Sequence, residues 1–232
     1  MFNILIDTCV WLDLAKDTRQ APVIGVVEEM VKQKLVSLIV PRVVMDEFRR
    51  NRARIVTEST KSLASHFRLV KDAVGKIGGD KRRMRAVMSH LDDVNHKLPM
   101  VGGTVSNVLD QIEKLLTASP VIQSTDAVTL RAARRAVDKR APFHRDRNSM
   151  ADAILIETYS DCVQAKNGAG QRFAFVTHNK HDFSVAGGSQ KLPHPDIAGC
   201  FSRIKSLYFI NLPELLRRIE PSLVSDVMFD LS

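Results

Sequence analysis

The stretch Ile4–Leu12, ILIDTCVWL, sets the problem. Asn3–Ile6 is too brief for a helix and rich in β-branched residues, so it reads as a strand buried on both faces. Thr8–Ala15 then reads as a short helix with Asp7 or Thr8 at its N-cap. An acid at the end of a buried strand is either a solvated cap or part of a site. The rest of the chain decides which.

Working outward, Pro22–Leu35 places Val23, Val26, Val27, Met30 and Val31 on one helical face. Val36–Val40 is a second buried strand, stopped by Pro41, and Arg42–Val56 begins another helix. This β-α-α-β-α order is the rhythm of a parallel sheet with helices packed on it. From about Thr57 to Arg140 the pattern predicts roughly four helices and no strand, with breaks at GKIGGD (75–80), LPMVGG (98–103) and TASPV (117–121). The α/β rhythm returns with a helix over Ser149–Ala165, a turn at KNGAG (166–170), and a strand over Arg172–Thr177. The loop HNKHDFS, a strand over Ser206–Ile210 and the helix Leu212–Glu220 follow. The expected architecture is one α/β domain over 1–232, its core about 1–56 and 142–232 and its helical insertion about 57–141.

The chain has 232 residues, and 34 basic against 26 acidic side chains leave it at +8, which favours a polyanionic partner. No apolar run is long enough for a membrane helix, and the N-terminus has no basic segment followed by an apolar one, so the expectation is a cytoplasmic protein without a membrane partner. Cys9, Cys162 and Cys200 form no C-x-x-C pair and read as reduced core residues.

Acids fall at matching places. Asp7 ends strand one, Glu47 lies in the first turns of the helix after strand two, and Asp152 precedes the apolar run AILI near the start of a helix. The loop after the third long strand carries Asn179 and Asp182. In a parallel sheet, strand C-termini and the following helix N-termini share one edge, so these residues converge on one crevice. Gathered carboxylates repel and need a counter-charge. An oxygen-only donor set suits Mg²⁺ or Mn²⁺, which can promote displacement at phosphorus. The basic segments 49–54, 81–85 and 131–140, with Arg49, Arg50, Arg134, Arg135 and Arg145 singled out, could hold a phosphate backbone against such a site.

Taken in order, strand-D-T-x-x-W, an acid on the helix after strand two, SMADAILI, and strand-T-x-N-x-x-D-F resemble PIN-domain ribonucleases, in their larger form with a helical insertion. The resemblance covers roughly residues 1–56 and 142–215. It implies a three-layer fold with a mainly parallel central sheet flanked by helices. It implies a Mg²⁺- or Mn²⁺-dependent endoribonuclease that leaves a 3′-hydroxyl and a 5′-phosphate. Asp7, Glu47 and Asp152 match the metal-binding acids, and Asp182 matches the acid before Phe. Asn179 stands where many members carry a fourth acid, which changes that position from a charged ligand to a neutral one. Thr8, Ser149 and Thr177 match small hydroxyl positions lining the pocket. RNA is the implied partner, with DNA open; a restraining antitoxin or regulatory protein and a homodimer are further expectations.

Blander readings compete. Asp7 could be only an N-cap, Asp152 only an acid favoured by the helix dipole, Asp46 could replace Glu47, and Asp146 could be a local ion-pair partner. His178 and His181 lack the further ligands of a zinc site. A phosphatase with its nucleophile after strand one needs a second acid two residues on, where this chain has Cys9. No phosphate-binding glycine motif is present. A catalytically degenerate PIN fold acting as an RNA-binding or protein-interaction scaffold is the remaining alternative.

Overall fold

The computed structural model describes residues 1–77, 80–96, 98–145, 149–165 and 170–228. Asp146 and most of the KNGAG turn lie outside them. Five strands form one all-parallel sheet: β1 Phe2–Ile6, β2 Val36–Pro41, β3 Val121–Ile122, β4 Arg172–Val176 and β5 Ser206–Phe209, in the order β3-β2-β1-β4-β5. Eleven helices are described: α1 Thr8–Lys16, α2 Ala21–Lys32, α3 Arg42–Ile77, α4 Lys81–His96, α5 Leu98–Thr117 and α6 Asp126–Val137, then α7 Met150–Ala165, the short α8 Lys180–Phe183 and α9 Pro195–Ala198, and finally α10 Leu212–Ile219 and α11 Pro221–Met228.

The central strand β1 is buried at all five positions, as a strand covered by helices on both faces must be. Its apolar side chains join those of β2, β4 and helices α1, α2, α3 and α7 in one core that includes Trp11, Phe48, Tyr159 and Phe175. From β1 the chain builds towards β2 and β3 on one side, and it later places β4 and β5 on the other. The direction therefore reverses between β1 and β4, and the crevice beyond their C-terminal ends is where such sheets bind ligands.

Two expectations for the middle of the chain need correction. Val121–Ile122 forms a strand, pairing with Val40 and Pro41 of β2. Two residues are too few to show a two-residue periodicity, so the sequence carries no signal there. The break expected at LPMVGG falls at its start: α4 ends at His96 and α5 starts at Leu98, then continues through Gly102 and Gly103. Pro99 sits in its first turn, where a missing N–H breaks no helical hydrogen bond. The other two breaks coincide with the ends of α3 and α5. Helix α5 buries Val105, Val108, Leu109, Ile112, Leu115 and Leu116 in the same core as the sheet. Arg49 and Arg52 of α3 pair with Glu113 of α5, and Arg52 also pairs with Asp110.

Candidate active site

Asp7 follows β1 and is held at the sheet edge by its own backbone, whose N–H donates to Val176 O of β4 at 2.9 Å. Its side chain is 4% exposed and makes no capping bond to α1. Instead Oδ2 accepts from Thr177 Oγ1 at 2.6 Å and Cys9 Sγ at 3.1 Å. Thr177, just beyond β4, is fully buried, and its Oγ1 also accepts from Asn179 N–H at 3.0 Å. Strand ends β1 and β4 thus hold one carboxylate in a fixed orientation.

Asp7, Glu47, Asp152 and Asn179 line one cleft of about 290 Å³, together with Cys9, Asp13, Asn51 and Arg54. Glu47 comes from the second turn of α3 and Asp152 from the first turn of α7. Asp182 is buried behind them, with Oδ2 accepting from Asn179 Nδ2 at 2.8 Å and Oδ1 without a partner. Thr8 and Ser149 are buried at the starts of α1 and α7. Asp46 turns aside and pairs with Arg42 at 2.9 Å.

The electrostatics follow from this crowding. Burial raises Asp7 above the usual carboxylate range, against the opposing hydrogen bonds from Thr177 and Cys9. Burial raises Glu47, with the charge of Asp7 adding to it and Thr8 and Arg50 partly offsetting it. Asp152 is pushed up to about 8 by burial and then by the charges of Asp7, Asp182 and Glu47. Among the described residues Asp152 has no hydrogen-bond or ion-pair partner. The same burial, with Asp7 beside it, drives the Cys9 thiol well above its ordinary range, so it stays protonated as a donor.

The donor set is chemically suited to a hard divalent cation: three carboxylates, no sulfur or imidazole required, and excess negative charge that one ion would relieve. Among the described residues no group of three or more His, Cys, Asp or Glu side chains is arranged to hold a metal ion. Asp7, Glu47 and Asp152 instead line one shared cleft.

A family profile described as a PIN domain matches residues 4–183. The chain belongs to the PIN-domain family. The match runs through the helical middle as well as the sheet, and it places this PIN domain in a family of nucleases that typically use divalent metals. No curated protein and no solved structure matches significantly.

The arginines singled out in the sequence take different places. Arg50 is exposed beside Glu47, whereas Arg49 is committed to Glu113. Arg135 is tied to Glu157 and to the carbonyls of Ala141 and Asp196. Arg134 and Arg145 are exposed. His178 Nδ1 lies 2.9 Å from Asp13 Oδ2 at the rim, and His181 is exposed. Sequence reasoning missed Cys9, Asp13 and Lys16 as lining residues of this PIN site, while Asn51 and Arg54 fall in the basic segment 49–54 that it set against the cleft. For Cys9 a signal existed: a residue two positions past the strand-ending acid starts the helix and returns towards that acid.

Proposed function

We propose that this PIN-domain protein is a Mg²⁺- or Mn²⁺-dependent endoribonuclease. The observation that carries the reading is Asp152: a mostly buried carboxylate with no basic partner, facing Asp7, Asp182 and Glu47. Asp7, Glu47 and Asp152 would hold the ion. When bound, such an ion neutralises the acids and polarises a phosphodiester for hydrolysis. Thr177 and Cys9 fix the Asp7 carboxylate from below, and the Asn179 amide orients Asp182. Arg54, about two turns after Glu47, brings positive charge to the cleft wall, its guanidinium held by Asn51 Oδ1 and Glu58.

We take the chain as one PIN-like domain, with the helical segment of about 57–141 inserted between core segments of about 1–56 and 142–232. The shared packing of α5 with the sheet supports treating them as a single unit. A role as the toxin of a toxin–antitoxin or phage-defence pair, with a protein partner or a homodimer, fits an RNA-cleaving activity that needs restraint. A cytoplasmic setting fits three free cysteines and, among the described residues, no helix long and apolar enough to cross a membrane.

One observation favours a second reading, a non-catalytic RNA-binding or protein-interaction scaffold: Asn179 makes the fourth position neutral. The test is cleavage of RNA by purified protein with Mn²⁺, comparing wild type with Asp152→Asn. The nuclease reading expects cleavage from wild type alone; binding without cleavage by either supports the scaffold.

A further inference from the structure

Helix α3 begins at the site and runs 36 residues, about 54 Å. Its residues sort by the 100° turn per residue. Val44, Met45, Phe48 and Ile55 are buried on one side. Arg49 and Arg52 lie on or beside that side and are consumed by Asp110 and Glu113 of α5. About 120° round from the buried side, Arg50, Arg54, Lys61, Arg68 and Lys76 fall within an arc of about 80°, and all five are exposed.

The spacing is regular: Arg54, Lys61 and Arg68 recur every seven residues, about 10.5 Å apart, and Lys76 follows eight later. Three acids share this face, Glu47, Glu58 and Asp72. Glu58 pairs with Arg54 at 2.8 Å. Among the described residues, no acid forms an ion pair with Arg50, Lys61, Arg68 or Lys76. Glu47 falls within the same arc, so the stripe leads out of the cleft. Arg42 and Arg54 close on acids at i,i+4, whereas among the described residues Arg68 and Lys76 form no ion pair with Asp72, four residues from each.

We propose that α3 is a track for the phosphodiester backbone, on which the strand continues for about 39 Å from Arg50 to Lys76, so that the substrate is a polynucleotide far longer than the cleft. The proposal rests on the nuclease reading for what happens at the cleft, but not for the track. About 39 Å is the axial length of some 11 steps of a duplex strand. An unpaired strand and a duplex flank share the chemistry the stripe reads, a row of phosphates. A short oligonucleotide reaches only Arg50 and Arg54.

The experiment is binding of RNAs of about 5, 10, 15 and 25 nucleotides, single-stranded and as stem-loops, to full-length protein by fluorescence anisotropy over a salt series. Affinity should rise at least about tenfold from the shortest to the third length and then level off. In Lys61→Gln/Arg68→Gln/Lys76→Gln that rise should vanish, and the slope of log affinity against log salt should fall by about 2. The single variant Arg68→Gln should lose about 0.7–0.9 of slope, which guards against a folding defect in the triple variant. A gain confined to stem-loops places a duplex flank on α3, and one confined to single strands places an unpaired strand there. Unchanged length and salt dependence in the variants would overturn the track. Length-dependent binding without Mn²⁺-dependent cleavage would support the track while removing the nuclease reading.

Discussion

Helix α7 carries two inward-facing acids, five residues and about 140° apart, that meet opposite fates. Glu157 is 6% exposed and accepts from Arg131 Nε at 2.7 Å and from Arg135 Nε at 2.5 Å. Asp161 shares Arg131, and Arg135 also reaches two backbone carbonyls, so α6 is bolted to α7. Asp152 lies in the first turn of the helix among Asp7, Glu47 and Asp182, and only acids act on it. A charge that serves structure comes with its arginines built in. On the proposed nuclease reading, a charge left without them in a cleft open to solvent is where a cation from outside would bind.

The sharpest way to break this contrast is Asp152→Asn, which keeps volume and removes charge. RNA cleavage should fall by about 10³-fold or more with the fold intact by circular dichroism. Arg135→Ala should do the reverse. It leaves Glu157 buried and short of a partner, costing about 3 kcal/mol and lowering Tm by roughly 10 °C, while kcat of the folded protein stays near wild type. If instead Arg135→Ala abolished cleavage and spared stability, the division between the two acids of α7 would be wrong. Cys9→Ala removes one donor to Asp7 and should weaken Mn²⁺ binding about tenfold, read by calorimetry.

The smallest effect concerns pH. Asp152 has its folded value raised to about 8, above the usual unfolded value, so the folded protein binds the proton more tightly. Metal-free stability is therefore highest below the unfolded value and falls as pH rises from about 4 towards 8. Scanning calorimetry should show Tm dropping a few degrees across that window in wild type and less in Asp152→Asn. Added Mn²⁺ should restore more Tm at pH 8 than at pH 6, because it competes with fewer protons.

Much of this was legible in the residues. Strands β1, β2, β4 and β5 are continuous apolar runs because both faces of a parallel sheet are covered. The acids at their ends could be placed in one crevice from element order alone. What stayed hidden has physical reasons. The two-residue β3 has no period to read. The apolar stripe of α5 announces a buried face but not the sheet-side core it joins. The cluster at 49–54 reads as one basic patch until the helical turn is applied, which sends Arg49 and Arg52 to α5 and leaves Arg50 and Arg54 to solvent. Glu157 and Asp152 look alike in sequence, because a partner arginine on α6 becomes a neighbour only in space.

The most direct measurement is calorimetric titration of Mn²⁺ into metal-free protein at pH 8, wild type beside Asp152→Asn. Wild type should show a saturable site with proton release, and the variant should lose it by about a hundredfold or more. No saturable site in wild type, or equal affinity in the two proteins, would contradict an acidic cleft kept for a divalent ion.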